Sequence, residues 1–218
     1  MSMRVIELQL YTSTGTKELV KKCNTQNIGL LMVDHWRDPN KWPFFAVDNG
    51  CFSAWHKQAE WNPAPFLNIL TKCKQIGHEP EFIVIPDKPL SKQSLEFSKA
   101  WIPILKHKYP SFPGYLAVQD GMRPDDVKPL LSEISGIFVG GSIEWKMDTM
   151  KGWVDFAHNK GLKCHVGRIG PIQRMMVCEL AGADSIDSTT WVQNRGGIEH
   201  YVGGFKAQTR IEDHAEAE

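Results

Sequence analysis

The chain has 218 residues, which is enough for one domain with a sizeable hydrophobic core and few for two. No apolar run approaches the roughly 18–20 residues of a membrane span, and no cleavable apolar segment begins the chain, so neither membrane insertion nor secretion is expected. Basic and acidic residues are equal in number, which argues against a strongly electrostatic DNA-coating protein. The five cysteines form no CxxC pair, a pattern typical of reduced thiols in the cytoplasm.

The charges are unevenly distributed along the chain. All lysines and arginines lie within residues 1–211, whereas residues 212–218 carry four acidic side chains. We therefore predict one catalytic domain over 1–211, with a modest excess of positive charge that permits nucleic-acid binding. An acidic, disordered tail is predicted over 212–218.

Short β-type runs alternate with amphipathic segments along most of the chain, which predicts a parallel sheet covered by helices. The predicted strands are Val5–Leu10, Ile28–Val33, Phe44–Val47, Phe82–Ile85, Gly114–Val118, Gly136–Val139, Lys163–Val166 and Ser185–Ile186. The predicted helices are Pro63–Ile76, Ser91–His107, Pro124–Ser132, Glu144–Asn159 and Ile172–Leu180. Eight strands indicate a (β/α)8 TIM-like barrel, which usually needs about 250 residues. We therefore expect a compact or incomplete barrel, with an open doubly wound sheet as the alternative.

Polar residues and glycines follow the predicted strands from the third onward. They are Asp48, Asp87, Gln119, Gly140, Gly141 and Asp187. In a parallel barrel the carboxyl ends of the strands converge on one mouth, where active sites are built. An isolated Asp after a strand is often only a cap or turn residue, and a Gly-Gly pair is a common tight turn or a phosphate cradle. Three acids at one rim repel each other, however, so the set favours acid–base or nucleophilic chemistry.

The segments that carry these residues resemble a known family. DNGCF at 48–52 is similar to the DSGGF segment of tRNA-guanine transglycosylases, and Asp87 stands where that family has its base-recognising aspartate. AVQDG resembles the family's VQGG, and GIFVGGS resembles its IGGLA. The stretch from HVGRIGP to GADSIDS is similar to the region that ends in the nucleophilic aspartate, here Asp187. The resemblance covers residues 44–190 and keeps the order of the family's motifs.

Three departures separate this chain from the zinc-containing members of the family. No cysteine follows Cys178, so the usual cysteine and histidine zinc site cannot form, and neither a metal nor another cofactor is expected. Ser188 and the residues after it replace a PTR segment, and Ser53 stands where the family has glutamine. With these departures, the chain most resembles the small branch of the family that acts on DNA, as in phage 7-deazaguanine DNA modification. For such a protein, the host cytoplasm is the expected location.

The resemblance implies that guanine in a nucleic acid is exchanged for another base through a covalent aspartyl–sugar intermediate. It implies Asp187 as the nucleophile and Asp48 as the general acid–base. Asp87 would accept hydrogen bonds from the N1–H and the N2 amine of guanine. Further base contacts are expected from Gln119, the backbone N–H groups of Gly140 and Gly141, the ring of Phe52 and the Cys164–His165 side of the pocket. The incoming free base would be a 7-deazaguanine such as preQ0 or preQ1.

A base within a duplex must be flipped or already single-stranded to enter such a pocket, and this requires phosphate contacts near the mouth. Arg168, Arg174 and Arg195 are the candidates, although solvated surface charge explains each of them equally well. Most of the eight tryptophans are expected to pack in the core or at the rim, and Trp191, just beyond the predicted nucleophile, is the one to test for a role at the site. DNA is the expected partner, with tRNA as the nearest alternative. A barrel enzyme for a small phosphorylated metabolite and an inactive nucleic-acid-binding barrel also remain open.

Overall fold

The computed structural model describes residues 8–13, 16–193 and 197–215, with side chains up to residue 208. Within this part of the chain, eight parallel strands follow one another around a closed barrel. The strands are β1 (Gln9–Thr12), β2 (Ile28–Met32), β3 (Phe45–Val47), β4 (Ile83–Val84), β5 (Gly114–Val118), β6 (Gly136–Val139), β7 (Lys163–Val166) and β8 (Ser185–Asp187). β1 pairs with β8, with Leu10 opposite Ile186, so the barrel is complete. The predicted (β/α)8 class is confirmed, whereas the incomplete barrel and the open sheet are wrong.

Helices connect the strands and cover the barrel. They are α1 (Lys17–Thr25), α2 (Cys51–His56), α3 (Ala64–Ile76), α4 (Ser94–Lys108), α5 (Pro124–Val127), α6 (Ile143–His158), α7 (Ile172–Leu180), α8 (Thr190–Gln193) and α9 (Gly197–Ala215). Two short 3-10 turns lie at Pro39–Lys41 and Lys128–Leu130. None of the described helices is long and apolar enough to cross a membrane.

Both ends of the chain differ from the sequence-based prediction. The first strand lies at Gln9–Thr12, later than predicted, and residues 5–7 of the predicted strand lie outside the described residues. α9 continues to Ala215, so residues 212–215 extend a helix where a disordered tail was predicted, and residues 216–218 lie outside the described part. The acidic residues 212 and 213 directly continue a helix that began at Gly197, and a helix already nucleated is extended at little cost.

Alternation of side chains along each strand creates two hydrophobic layers. The larger layer lies between the strands and the helices and includes Leu10, Leu116 and Ile186. The smaller layer fills the inside of the barrel and includes Tyr11, Phe82 and Tyr115. The rings of Phe82 and Tyr115 stack with centroids 4.4 Å apart, and the ring of Tyr11 meets Phe82 edge-on. The inside of the barrel is therefore filled by aromatic rings and is not a channel.

Candidate active site

Three carboxylates lie at the carboxyl ends of strands, at one mouth of the barrel. Asp48 directly follows β3, Asp87 follows β4, and Asp187 is the last residue of β8. Asp48 and Asp187 line one cavity of about 360 Å³, together with Phe52 and Arg168. Asp87 lies on the adjoining wall, and the negative charges of Asp87 and Asp187 both act on Asp48. The structure thus places the three acids close enough for the charges of Asp87 and Asp187 to affect the pKa of Asp48.

Asp187 is held through one of its two carboxylate oxygens. Oδ1 accepts a hydrogen bond from the backbone N–H of Arg168 at 3.0 Å and lies 3.1 Å from Nε2 of His165. Among the described residues, Oδ2 accepts no hydrogen bond, and the side chain borders the cavity. This arrangement fixes the carboxylate and leaves one oxygen available to attack an electrophile, as a nucleophilic carboxylate requires.

Asp48 lines the same cavity in a different environment. Its Oδ1 accepts a hydrogen bond of 2.7 Å from the backbone N–H of Gly50. Gly50 begins α2 in the left-handed conformation, with φ of 76°, which glycine adopts readily. Burial raises the pKa of Asp48 to about 7, the charges of Asp187 and Asp87 add to this rise, and the Gly50 N–H opposes it. A carboxyl group with a pKa near neutrality can both donate and accept a proton.

Asp87 is buried and both of its oxygens are occupied by side-chain amides. Nδ2 of Asn49 donates to Oδ1 at 2.9 Å, and Nε2 of Gln119 donates to Oδ2 at 2.7 Å. Burial raises the pKa of Asp87 to about 6, although these amide hydrogen bonds and the charge of Arg168 oppose the rise. Since each carboxylate oxygen has a second lone pair, Asp87 still has acceptor capacity for a ligand.

The backbone N–H groups of Gly140 and Gly141, which were predicted as base contacts, already donate within the protein, whereas Gln119, within the described part of the chain, uses only one of its two amide N–H groups, on Asp87. Oε1 of Gln119 accepts hydrogen bonds from the backbone N–H groups of Gly141 at 3.0 Å and Leu90 at 3.2 Å. The N–H of Gly140 donates to the carbonyl oxygen of Val118 at 3.0 Å. Close packing explains this, because a Cβ atom on Gly140 would lie only 2.7 Å from Nε2 of Gln119. These residues order the wall of the site, and Gln119 acts as the donor that aligns Asp87.

Arg168 lies within the site, whereas the sequence predicts a phosphate contact near the mouth. Its guanidinium carbon stands 3.8 Å above the centroid of the Phe52 ring, and one guanidinium nitrogen donates to the carbonyl oxygen of Gly141. Burial lowers the pKa of Arg168, while the charges of Asp187 and Asp48 oppose this shift. An arginine stays charged under such shifts, so Arg168 supplies a cation among the acids. It also covers the face of Phe52 that was predicted to stack on a base.

His165 is placed differently from its prediction as part of a base sandwich. The side chain is fully buried inside the barrel, and its ring stacks on Phe138 with centroids 4.7 Å apart. Its two nitrogens contact Oγ of Ser185 at 2.8 Å and Oδ1 of Asp187 at 3.1 Å. Burial lowers the pKa of His165 and favours the neutral ring, so a proton on Nε2 would donate to Asp187. The inward orientation follows from β7, where Cys164 and its alternate neighbours face the helices.

The other predicted contacts are divided between the core and the outer part of the structure. Trp191 is fully buried, and its Nε1 donates to the carbonyl oxygen of Gly170 at 3.0 Å, so it anchors α8 to the loop before α7. Arg174 is half-buried in the first turns of α7. Arg195 lies outside the described residues.

Sequence reasoning missed three polar residues that organise this mouth of the barrel: Asn49, Asp120 and Lys146. Asn49 donates to Asp87, and Asp120 accepts from the backbone N–H of Ser142 at 2.7 Å, which ties the loop after β5 to the start of α6. Lys146 is fully buried. A signal for Lys146 was present, since it occupies the apolar face of α6 four residues before Met150.

All five cysteines are free and buried. Among the described residues, no three His, Cys, Asp or Glu side chains are arranged to hold a metal ion.

Neither a search of protein-family models nor a search of curated proteins gave a match to this chain. The likeness to tRNA-guanine transglycosylases therefore depends on the motif residues themselves and stays a prediction.

Proposed function

We propose that this protein is a transglycosylase that replaces guanine in DNA with a 7-deazaguanine base through a covalent aspartyl–sugar intermediate. The observation that carries the proposal is the pair of unequal carboxyl groups, Asp48 and Asp187, on one cavity. One has a pKa raised to about 7 and suits proton transfer. The other is held through Oδ1 and presents Oδ2, which suits covalent attack.

These two groups support a double displacement at the sugar. Asp187 attacks the C1′ carbon and forms an ester as the C1′–N9 bond to guanine breaks, and Asp48 donates a proton to the departing base. The incoming base then loses a proton to Asp48 and attacks C1′, which breaks the ester and regenerates the Asp187 carboxylate. Two displacements retain the configuration of the sugar, and the proton balance closes on Asp48.

The walls of the cavity support recognition of a flat, hydrogen-bonding base. Asp87 offers a carboxylate to adjacent N–H donors, and Asn49 and Gln119 fix its orientation. The guanidinium of Arg168 and the ring of Phe52 are already stacked. A shift of Arg168 away from Phe52 by the thickness of a base, roughly 3.5 Å, would hold a purine between two planar groups that stack well on bases.

A wide groove beside the cavity supports binding of the nucleotides that flank the target. The groove has a volume of about 910 Å³, and Asp87 lies at its inner end. Its aromatic wall includes Trp55, and its edge carries Lys88 and Lys92. The rings of Trp55 and Phe52 lie 5.4 Å apart, so aromatic surface continues from the groove into the cavity. Aromatic platforms next to lysines are the features that bind single-stranded nucleic acid.

Replacing Trp55 with alanine is expected to weaken binding to single-stranded DNA about tenfold or more, because base–aromatic stacking contributes roughly 1–3 kcal/mol. Trp55 is 45% exposed, so the melting temperature should change little. Fluorescence anisotropy with a labelled oligonucleotide measures the affinity. Leu180→Ala is the matched control, since Leu180 is an exposed apolar residue at the end of α7, outside the groove. If Trp55→Ala and Leu180→Ala bind single-stranded DNA with equal affinity, the groove does not bind the flanking nucleotides.

The glycine pair after β6 disfavours the alternative of a phosphorylated metabolite. A phosphate cradle needs free backbone N–H groups, and those of Gly140 and Gly141 donate to Val118 and Gln119. The three carboxylates beside them would also repel a phosphate group. DNA is preferred over tRNA because Ser188 and the residues after it replace the PTR segment of the resembled family.

Incubation with radiolabelled guanine tests the proposed reaction, with single-stranded DNA, duplex DNA and bulk tRNA as separate acceptors. Label is expected in DNA, and unlabelled 7-deazaguanine bases should chase it out. Label found in tRNA alone would favour the tRNA enzyme. Label in none of the three would contradict base exchange with guanine.

A further inference from the structure

Lys146 is a fully buried lysine that contacts the loop next to the candidate active site. It lies on the face of α6 that also buries Met150 and Trp153 against the barrel. Burial lowers the pKa of its amine to about 7, the charge of Arg168 adds to this effect, and the charge of Asp187 opposes it. A lysine so poorly solvated is costly to keep, and simple packing would be served better by an apolar residue.

The amine of Lys146 contacts the loop that supports Asp187. Nζ donates a hydrogen bond to the carbonyl oxygen of Gly167, the first residue after β7. The peptide bond that contains this carbonyl also contains the N–H of Arg168. That N–H donates to Oδ1 of Asp187 at 3.0 Å. A single peptide unit therefore joins Lys146 on one side to Asp187 on the other.

We propose that Lys146 is a positioning residue, which holds the peptide between Gly167 and Arg168 so that its N–H is fixed on the carboxylate of Asp187. This role rests on the proposed function, in which Asp187 is the nucleophile. Lys146 itself is fully buried and does not line the cavity. It acts on the reaction through the peptide.

The backbone conformation explains why this peptide needs a support. Arg168 has a φ of 59°, in the left-handed region that is unfavourable for a residue with a side chain. Such conformations persist only where the surroundings enforce them. Three contacts do so here: Lys146 holds the carbonyl of Gly167, Asp187 accepts from the N–H of Arg168, and Gly141 accepts from the Arg168 guanidinium.

The amine of Lys146 also strengthens the hydrogen bond between the N–H of Arg168 and Asp187. A hydrogen bond from an amine to a peptide carbonyl polarises the peptide and makes the N–H of the same unit a better donor. Space for an alternative arrangement is small, because a Cβ atom on Gly167 would lie 2.6 Å from the Phe138 ring and 3.4 Å from Oδ1 of Asp187. Loss of the amine should therefore loosen the peptide locally and leave the barrel intact.

Hydrogen exchange of the Arg168 amide in Lys146→Met tests this role without requiring any enzymatic assay. Methionine fills similar space without a donor or a charge, and such replacements of buried ionic groups are often tolerated. The amide of Arg168 is expected to exchange about ten- to a hundredfold faster, since its charge-assisted hydrogen bond to Asp187 is weakened. Amides within β5 and β6 should keep their protection. Lys151→Met is the control, because Lys151 lies on the same helix and is exposed.

Lys146→Gln keeps a neutral donor and gives a second variant, for which a smaller acceleration is expected. Unchanged exchange of the Arg168 amide in Lys146→Met would overturn the positioning role, and so would an acceleration in Lys146→Gln as large as that in Lys146→Met. In the base-exchange assay, Lys146→Met should lower kcat about tenfold or more with little change in KM for the base, as expected for an interaction that matters in the transition state. Wild-type protein that exchanges no base would contradict the proposed function alone, since the amide measurement still decides the role of Lys146.

Discussion

Asp187→Asn is expected to abolish base exchange, with a loss of ~10³-fold or more, because an amide cannot form the ester with the sugar. Binding to DNA should be retained, since it depends on contacts to phosphates and bases rather than on the bond to C1′. Denaturing gels of wild-type protein, DNA and a poorly accepted base should show a protein–DNA adduct. That adduct should be missing in Asp187→Asn, and peptide mapping of the wild-type adduct should place the sugar on Asp187.

The matched control is Asp155→Asn, which removes an exposed acid that pairs with Lys151 on the surface of α6. This variant should form the adduct at the wild-type rate. Melting curves of both variants check that the barrel is folded. An adduct that persists in Asp187→Asn, or that maps to Asp48, would show that the catalytic roles are assigned to the wrong carboxyl groups.

Asp48→Asn is expected to slow both half-reactions by roughly 10²–10⁴-fold, the usual contribution of a positioned general acid or base. The two half-reactions should depend on pH in opposite directions in the wild-type protein. Departure of guanine needs the protonated form of Asp48, so formation of the adduct should fall as the pH rises through about 7. Attack by the incoming base needs the ionised form, so resolution of the adduct should rise over the same interval.

Single-turnover measurements of adduct formation and adduct decay across this pH range separate the two steps. Both pH dependences should disappear in Asp48→Asn.

The stability of the protein gives an independent check on the pKa of Asp48. Because the folded protein holds the proton of Asp48 more tightly than the unfolded chain does, the fold loses stability as the pH rises from about 4 to about 7, and this loss is complete at higher pH. Asp48→Asn should therefore melt higher than wild type at mildly alkaline pH, and equal melting temperatures there would contradict a raised pKa.

The strands were predictable because parallel strands buried on both sides read as short apolar runs. β5 and β6 match their predicted bounds for this reason, and the polar residues that end the strands mark the mouth of the barrel. α1 was missed because its sequence, KELVKKCNT, is mostly polar and buries only Cys23. Its N-cap Thr16, which accepts from the N–H of Leu19 at 3.3 Å, was the available signal.

The directions of side chains around the site were less predictable than its location. Asp48, Asp87 and Asp187 follow strands, so their convergence depends only on the barrel. The position of Arg168 depends on a left-handed turn and on a long side chain that reaches Phe52, neither of which has a sequence signature. Lys146 contacts a loop more than twenty residues later in the chain, a tertiary contact that helical periodicity cannot indicate.

The pairing of β1 with β8 places Asp187 at the seam where the two ends of the barrel meet. Its register partner across the seam is Tyr11, one of the rings that plug the barrel. The Asp187 carboxylate is held by His165 and Arg168, whereas its strand pairs with β1 and its cavity includes Ser13, so these surroundings are complete only when the first and last strands have joined. If Asp187 is the nucleophile, as proposed, activity at this mouth requires the completed fold, because a partly closed barrel would carry all three acids without the cavity around Asp187.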